Sequence, residues 1–491
     1  MKKASVRCEK MTIFANSTLK SFEMRKNLFV IVLSFTFLCV GSMKAQNSGG
    51  ISEKMLDDLK KSYTNSPQDK AIHNALNVAD INKLAVNSEN ATAFNSNFSN
   101  QVNIKAVTNQ KSSGRCWMFT GMNVLRSKAI RKHHLPADFQ FSQVYTFFYD
   151  QLEKSNLFLQ AIIDTRKLAI DDQQVQWLFK NPIGDGGQFT GVANLIDKYG
   201  LVPAEVMPET RSSNATSQMS SLIALKLREY GLELREMGAQ KGMTDAKLEA
   251  RKAEMLQTVY RMLALNFGVP PEKFTWSQRD SKGNIVSTKE YTPKSFAAEF
   301  APEDFSTYYM FMNDPTREYY KVYEIEYDRH VYDGQNWKFL NLPMEDIAAM
   351  AIASIKDSTP MYFSCDVAKF LDREKGFMDM DNYDYASLMG TTFNMDKKQR
   401  VQTFASGSSH AMTLVAVDLD ADGKPLKWMV ENSWGNNYGY KGCLIMTNDW
   451  FDNYMFRLVV EKKYIPAKLL KMFDQKPVML PSWDPMFQPE E

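Results

Sequence analysis

The chain has 491 residues, and its 44% hydrophobic content is enough to build a large buried core. Its 59 lysines and arginines nearly balance its 57 aspartates and glutamates, which leaves a formal net charge of +2. This balance argues against nucleic acid, or a membrane surface, as a partner selected by charge.

The cysteines are few and scattered along the chain, at Cys8, Cys39, Cys116, Cys365 and Cys443. No two of them have the spacing of metal ligands, and a disulfide framework is not expected. As a separate expectation, we predict that the protein uses neither a metal ion nor an organic cofactor.

Residues 1–46 are predicted to hold an N-terminal extension and a secretory signal peptide at about 24–45. A short basic region begins at Met24, and an apolar run follows from Leu28 to Val40. That run is too short to span about 30 Å of bilayer as a helix but fits a secretory signal. We expect cleavage near Ala45 and export to the periplasm or the medium, with no membrane span left in the mature protein. A membrane anchor is the alternative.

Two regions are expected after the signal. Residues 47–100 are polar and predict an N-terminal arm of one or two helices and loops, and residues 101–491 predict one catalytic domain. Within that domain we expect a helical insertion at about 212–300 and a C-terminal arm at about 477–491.

Helical patterns dominate the first part of the catalytic domain, from Cys116 to about Tyr199. Ser142 is placed to cap one of these helices. The adjacent Gly186 and Gly187 interrupt the pattern and predict a turn where two backbones approach closely. Further helices are predicted over Leu222–Met237 and Asp245–Phe267.

From about residue 359 the pattern changes to strand-like apolar runs. The predicted strands are Pro360–Cys365, Ala411–Asp418, Leu426–Glu431, Gly442–Met446 and Phe456–Val460. Helices first and strands later predict an α+β fold with two lobes.

A polar loop ends on a cysteine that opens a helical pattern, in the stretch Val107-Thr-Asn-Gln-Lys-Ser-Ser-Gly-Arg-Cys-Trp117. At the first turn of a helix, the backbone N–H groups and the helix dipole favour the thiolate of Cys116, which is the nucleophilic form. Gln110 can direct its side-chain amide at the oxygen of a carbonyl under attack by Cys116, as in an oxyanion hole. For Cys116 alone, a buried structural cysteine is the alternative interpretation.

A nucleophilic thiol needs a base and a group that orients the base. His410 begins the strongest strand pattern, and the next strand ends just before Asn432. A hairpin of these two strands would place the Asn432 amide oxygen against the imidazole N–H of His410, where Trp434 would keep water away. His133 and His134 are interpreted as surface residues.

These residues carry a resemblance to a known family. Gln110, Cys116-Trp117, His410-Ala and Asn432-Ser-Trp-Gly are similar to the papain superfamily, and the loop from Thr108 to Trp117 resembles its bleomycin hydrolase and aminopeptidase C branch. Further matching stretches lie at 181–188, 362–367, 430–435 and 480–486. The resemblance covers about residues 70–491 and implies a papain-like fold, with a helical lobe, an antiparallel β lobe and a helical insertion.

The resemblance also implies the roles of the site residues. Cys116 would be the nucleophile, His410 the general base and acid, Asn432 the group that orients it and Gln110 the oxyanion donor. Trp117 and Trp434 would support them. The glycine pair at 186–187 matches the pair that binds substrate backbone in papain-like enzymes.

The implied activity is that of a cysteine aminopeptidase acting on peptides. In this branch the terminal carboxylate of the C-terminal arm holds the substrate's amino group, which would give that role to Glu491. The branch also forms hexamers, so a homohexamer is expected. The alternatives are a papain-like endopeptidase, if the arm does not fill the cleft, and a catalytically silent peptide-binding scaffold.

Overall fold

The structure, a computed structural model, describes residues 49–103 and 106–486. The predicted signal peptide at 24–45 and the predicted substrate contact Glu491 lie outside the described residues. The chain divides into two compact units, Met1–Ile81 and Asn82–Glu491. The domain boundary predicted near residue 100 stays a prediction, because this division falls earlier in the chain.

The described part of the first unit is helical. It contains α1 (Glu53–Ser62) and α2 (Pro67–Leu76). Each begins with a serine whose side chain accepts a backbone N–H of the first turn, Ser52 for α1 and Ser66 for α2. Such caps satisfy N–H groups that have no partner inside the helix.

The second unit holds a group of helices that follows α3 (Ile81–Leu84) at the boundary. The helices are α4 (Cys116–His133), α5 (Gln143–Asp164), α6 (Gln173–Lys180), α7 (Phe189–Tyr199), α8 (Arg211–Asn214), α9 (Ser217–Gly238), α10 (Asp245–Phe267), α11 (Pro293–Phe300), α12 (Met344–Lys356), α13 (Tyr385–Met389), α14 (Lys397–Gln402), α15 (Asn448–Tyr454) and α16 (Ala467–Leu470). Both helices predicted in the middle section are present, as α9 and α10.

The strands of the second unit form one large sheet and one separate hairpin. They are β1 (Asn100–Gln101), β2 (Phe274–Arg279), β3 (Ile285–Tyr291), β4 (Tyr308–Met312), β5 (Lys321–Ile325), β6 (Lys338–Asn341), β7 (Met361–Cys365), β8 (Leu371–Asp372), β9 (Phe377–Met378), β10 (His410–Leu419), β11 (Pro425–Glu431), β12 (Cys443–Thr447), β13 (Met455–Glu461) and β14 (Val478–Leu480).

The large sheet runs in the order β14-β5-β6-β4-β13-β7-β10-β11-β12-β9-β8, and β1 pairs with β10. Its centre, from β4 through β12, is antiparallel from strand to strand. All five predicted strands are present in it, within a residue or so of the predicted ends. The predicted α+β class is confirmed.

The helix α4 is buried on nearly every side because it packs against β10 of the sheet and against α5 and α7 of the helical lobe. Its first turn, from Cys116 to Phe119, is buried throughout. The residue at its C-terminal end, His134, adopts a left-handed conformation and is exposed, as predicted, whereas His133 is half-buried against the ring of Phe300. The helix therefore joins the two lobes at the point where the cysteine lies.

Among the described residues, no helix combines the length and the hydropathy needed to cross a bilayer.

Candidate active site

Cys116 is the first residue of α4, and its side chain is buried. The carbonyl of Arg115 accepts the N–H groups of Met118 and Phe119 at 3.0 Å, which starts the helix without a side-chain cap. The thiol therefore lies at the positive end of an 18-residue helix, where a negative charge is stabilised.

The pair predicted to serve as base and orienting group is brought together. His410 begins β10, Asn432 follows β11, and the antiparallel pairing of these strands places both residues at the same end of the hairpin. The imidazole Nε2 lies 2.8 Å from Oδ1 of Asn432, and both residues are buried. The same oxygen accepts the backbone N–H of Ser433 at 2.8 Å. Because an amide oxygen can only accept, the contact assigns the Nε2 proton to the histidine.

The indole of Trp434 covers this pair. Its ring centroid lies 4.8 Å from that of His410, at an angle of 31°. Tyr438 packs edge-on against the other part of the same indole, at 4.6 Å. The Trp434 indole therefore lies as a tilted ring against the imidazole, and its role in keeping water away stays a prediction.

One hydrogen bond connects the cysteine to the histidine strand. The backbone N–H of Ala411, the residue after His410, donates to Sγ of Cys116 at 3.4 Å. Sulfur is a weak acceptor as a thiol, and it accepts more strongly as a thiolate. The sheet therefore holds the sulfur beside the residue that carries the imidazole.

Gln110 is buried and held by bonds at both ends of its side-chain amide. Its Oε1 accepts the hydroxyl of Ser433 at 2.5 Å, and its Nε2 donates to the carbonyl of Ser113 at 2.6 Å. Its backbone N–H also donates to the carbonyl of Ser433 at 2.8 Å. An amide nitrogen carries two hydrogens, so a fixed Gln110 has a second one to offer to an oxyanion.

Arg115, next to the cysteine, is fully buried and forms a two-point ion pair. Its Nη1 and Nη2 donate to the two carboxylate oxygens of Glu209 at 3.1 and 2.8 Å, and its Nε donates to Ser113 Oγ at 2.9 Å. The guanidinium also lies over the rings of Phe119 and Phe147, at 5.2 and 5.3 Å. This arginine anchors the loop and the helix start around Cys116.

The loop before the glycine pair is fixed to the cysteine helix by Asp185. Its carbonyl accepts the indole N–H of Trp117 at 2.8 Å. Its carboxylate accepts the backbone N–H of Gly114 at 3.2 Å and the hydroxyls of Thr216 and Ser220. Asp185 therefore connects the cysteine loop, α4 and the start of α9.

A buried charged cluster supports the same loop from inside. Lys154 donates to the carbonyls of Gly184 and Gly186 at 2.9 and 2.6 Å and pairs with Asp150 at 3.0 Å. The other Asp150 oxygen lies 2.6 Å from Nδ1 of His330. Burial alone would raise the pKa of the Asp150 carboxyl, but its cationic neighbours hold it below the usual value. Burial, aided by Lys154, lowers the pKa of His330.

At the glycine pair, side chains rather than a second backbone approach Gly187 closely. A Cβ on Gly187 would lie 2.2 Å from Cε1 of His330 and 2.7 Å from the indole of Trp117. Neither Gly186 nor Gly187 has a positive φ, so crowding rather than backbone conformation requires the small residue. Both glycines also line a cavity of about 280 Å³ with apolar walls that include Leu157, Phe158 and Leu178.

The C-terminal arm is anchored as far as it is described. The strand β14 pairs in parallel with β5, and Arg317 donates to the carboxylate of Asp484. Arg457, fully buried, donates from Nη2 to the carbonyl of Met486 at 2.7 Å. The arm is therefore fixed by two arginines up to residue 486.

Several of these supporting residues were not predicted from the sequence. Ser433 lies inside the recognised Asn432-Ser-Trp-Gly motif, so the motif was the available signal for it. Asp150 and Lys154 lie one turn apart on α5, whereas His330 is distant in sequence, and no recognised motif surrounds any of the three. In the part of the chain that the structure describes, no group of three or more histidine, cysteine, aspartate or glutamate side chains is arranged to hold a metal ion.

A cysteine at a helix start, a histidine and an asparagine at neighbouring strand ends, and a two-lobed α+β fold define a papain-like cysteine peptidase. The chain belongs to the Peptidase C1-like family, which it matches over residues 50–487. The resemblance inferred from the motifs is thereby confirmed.

Sequence alignments with characterised relatives extend over most of the chain. Aminopeptidase C of Lactobacillus delbrueckii subsp. lactis is 36% identical over 441 residues, which is 89% of this chain and 98% of that protein. Bleomycin hydrolase of Homo sapiens is 38% identical over 391 residues, 78% of this chain and 86% of that protein. The crystal structure of PepW from Lactobacillus rhamnosis superposes with a TM-score of 0.86 at 37% identity, covering 90% of this chain and 100% of that one.

Proposed function

We propose that the chain, a cysteine aminopeptidase of the Peptidase C1-like family, removes residues one at a time from the amino ends of peptides. The observation that carries the proposal is the joining of the two lobes at the site. The sulfur of Cys116 accepts the N–H of Ala411, and the adjacent imidazole of His410 is held by Asn432.

In the first half-reaction, the Cys116 thiolate attacks the carbonyl carbon of the substrate's first peptide bond, and a C–S bond forms. The resulting oxyanion accepts a hydrogen bond from the Gln110 amide, which is already oriented by its two partners. The C–N bond then breaks, and the His410 imidazolium gives its proton to the leaving amine.

In the second half-reaction, water attacks the thioester carbonyl while His410 takes the water proton. The C–S bond breaks, and the released amino acid leaves with a free carboxyl group. Asn432 keeps the imidazole oriented through both steps, and the stacked Trp434 excludes water from the bond between them.

The restriction to amino ends is assigned to the C-terminal arm, with Glu491 holding the substrate's α-ammonium through its negative charge. The anchoring of the arm by Arg317 at Asp484 and by Arg457 at Met486 supports this assignment. The cavity beside Gly186 and Gly187, which both apolar and charged side chains line, supports binding of peptide side chains next to a backbone-binding loop.

The deciding experiment digests a peptide of mixed sequence with the purified protein and identifies the products by mass spectrometry, beside a Cys116→Ala variant. Stepwise loss of amino-terminal residues, absent in the variant, is expected. Internal fragments would indicate an endopeptidase instead of an aminopeptidase. Absence of cleavage by either protein would indicate a catalytically silent peptide-binding scaffold.

Truncation after Met486 tests the arm. We expect slower removal of amino-terminal residues and new internal cleavage, since nothing would then hold the substrate amine. A Met479→Ala variant, which keeps the full arm and both arginine anchors and changes only an exposed side chain of β14, is the matched control. An unchanged product pattern after truncation would remove the arm from the mechanism.

A homohexamer is proposed as the assembly. It is supported by exposed apolar side chains spaced four residues apart on α1, Met55, Leu59 and the following Tyr63, and by Leu222 and Leu225 on α9. Such surfaces are typical of protein contacts. Sedimentation equilibrium should give six times the chain mass, and a monomer mass would contradict the proposal.

Export is proposed from the pattern at residues 24–45. Cell fractionation followed by amino-terminal sequencing should find the protein outside the cytosol and beginning near Gln46. Recovery from the cytosol with an uncut amino terminus would reject it.

A further inference from the structure

A buried ion pair lies behind the catalytic residues and has no role in the steps above. Arg126 lies on α4, and its Nη2 donates to Oε1 of Glu431 at 2.9 Å. The two side chains are only 5% and 4% exposed, so this is an interior pair and not a surface contact. The same Nη2 donates to the carbonyl of Ala106 at 2.7 Å.

The three residues belong to the three segments that carry the catalytic groups. Arg126 is on the helix that begins at Cys116. Glu431 ends β11, and the next residue is Asn432. Ala106 begins the segment that leads to Gln110. A single guanidinium nitrogen therefore touches both segments that must be aligned with the cysteine helix.

Neighbouring hydrogen bonds connect the same segments. Asn123, one turn before Arg126 on α4, donates to the Thr108 hydroxyl at 3.0 Å. Thr108 in turn accepts the N–H of Gly435 at 3.0 Å through its carbonyl. The segment 106–110 thus lies between the helix and the turn after β11, and the arginine and the asparagine fix it to the helix.

Stability alone does not account for the pair. Nε and Nη1 of Arg126 are buried and have no hydrogen-bond partner among the described residues. Removing two charges from water is costly, and buried ion pairs can often be replaced by apolar side chains with no loss of stability. The presence of the incompletely hydrogen-bonded Arg126–Glu431 pair beside the site therefore needs an explanation other than stability.

We propose that Arg126 and Glu431 are positioning residues for catalysis, which hold the Asn432 strand end and the Gln110 segment in register with the Cys116 helix. The inference rests on the proposed cysteine peptidase chemistry. It adds that alignment depends on the charge of a carboxylate adjacent to the residue that orients the histidine.

The charge of Glu431 changes near neutral pH. Burial raises the pKa of its carboxyl to about 7, although Arg126 opposes the shift. Among the described residues, the titratable groups that face it are Arg126 on α4 and Cys443 on β12; burial and then Glu431 raise the pKa of that thiol to about 12. Glu431 is therefore the member of this group that titrates around pH 7.

Activity and stability should respond to this titration in opposite directions. An acid whose pKa is raised by folding stabilises the folded state through its protonated form. That contribution is complete below the ordinary pKa of 4.5 and is lost as the pH rises through about 7. Alignment needs the ionised form, so activity rises over the same range. Loss of activity on acidification is then not a consequence of unfolding.

The experiment compares Glu431→Gln, Arg126→Met/Glu431→Met and the unaltered protein between about pH 5 and about pH 9, where free-enzyme pKa values appear in the rate profile. The measurements are kcat and KM on a fluorogenic aminoacyl amide, the rate of Cys116 alkylation by iodoacetamide, and the thermal midpoint. Alkylation is read against Cys116→Ala as the blank.

For Glu431→Gln we expect kcat to fall about tenfold or more at high pH, since small misplacements of catalytic groups cost up to about 10²-fold. KM should change little, and the step near pH 7 should disappear from the alkylation profile. The double methionine variant should fold with an unreduced thermal midpoint and keep the low kcat.

Asp418→Asn is the matched control, because Asp418 pairs with Lys427 between the same two strands, β10 and β11, away from the site. It should leave kcat and the alkylation profile unchanged. Full kcat in the double methionine variant, or an unchanged alkylation profile in Glu431→Gln, would overturn the proposal. The two proposals can fail separately, because alkylation of Cys116 requires no substrate. Absence of aminopeptidase turnover would refute the proposed function, while the alkylation profile would still test the role of Arg126 and Glu431.

Discussion

The hydroxyl of Ser433 donates a 2.5 Å hydrogen bond to Oε1 of Gln110, across the boundary between the sheet and the cysteine loop. The carbonyl of Ser113 can only accept, so the atom of the Gln110 amide that faces it is the nitrogen, and the atom that faces the Ser433 hydroxyl is the oxygen. The amide oxygen accepts the Ser433 hydroxyl, so both amide hydrogens point away from Ser433. One of them is donated to the carbonyl of Ser113. The second hydrogen is thereby available for the developing oxyanion.

Replacing Ser433 by alanine should lower kcat by about tenfold and leave KM nearly unchanged, because an oxyanion donor acts in the transition state. Gln110→Ala should cost more, about 10²-fold or above. The double variant should be no slower than Gln110→Ala, since Ser433 acts only through that amide. Steady-state kinetics on an aminoacyl amide checks all three. Additive losses in the double variant would show that Ser433 has an independent role.

The buried start of α4 gives a stability prediction for Arg115. Lysine keeps the charge but loses the two-point contact with Glu209 and the stacking on Phe119 and Phe147. We expect Arg115→Lys to lower the free energy of unfolding by about 1–3 kcal/mol, the usual cost of unsatisfied buried groups.

Arg251 provides the control for this prediction, because it forms a comparable fork with Glu233 while about a third of its side chain is exposed. Arg251→Lys should cost less than about 0.5 kcal/mol, as exposed pairs contribute little. Urea unfolding curves of the two variants and the unaltered protein give both losses in the free energy of unfolding. Equal losses would mean that burial and stacking at Arg115 add nothing.

The positions of the candidate catalytic residues were predictable because each lies at the end of an element with a clear pattern. Cys116 opens a helix after a polar loop, and His410 and Asn432 flank two apolar strands of a hairpin. Periodicity places such elements, and strand pairing then brings their ends together. The two-lobed fold followed from the same patterns.

The supporting residues were not predictable, because tertiary packing alone brings them together. Arg126 and Glu431 are 305 positions apart, and a single sequence gives no sign that either is buried. The hairpin of β2 and β3 was missed for another reason. The strand β3 is almost wholly exposed, so it lacks the apolar alternation that marks a strand.

The crowding around Gly187 predicts that even one methyl group is harmful there. A Cβ would lie 2.2 Å from the His330 ring and 2.7 Å from Trp117. We expect Gly187→Ala to shift the loop and to raise KM severalfold, with a loss of stability of about 1–3 kcal/mol from overpacking. Gly49→Ala is the control, since nothing lies within 4 Å of the added atom. Wild-type KM and stability in Gly187→Ala would mean that the loop tolerates the displacement.

His330 gives the protein a pH-dependent stability separate from that of Glu431. Burial and then Lys154 lower the pKa of His330 below 6.5, although Asp150 opposes them. As the pH falls below 6.5, the unfolded chain takes up a proton that the folded protein refuses. The contribution of His330 to stability is therefore full above that pH and declines below it, by up to about 1.4 kcal/mol per pH unit for one proton, and it opposes the contribution of Glu431. The Asp150 carboxyl, with its pKa below 3.8, titrates only at more acidic pH.

Replacing His330 by glutamine removes the titrating group while keeping a side chain that can bond Asp150. The variant should be less stable at pH 8, because the packing against Trp117 is changed, but its stability should fall less steeply between pH 6.5 and about pH 5. Free energies of unfolding from urea titrations at several pH values give both slopes. His134→Gln, at the exposed end of α4, should leave the slope of the unaltered protein intact. Parallel curves for His330→Gln and the unaltered protein would mean that folding does not lower the pKa of His330.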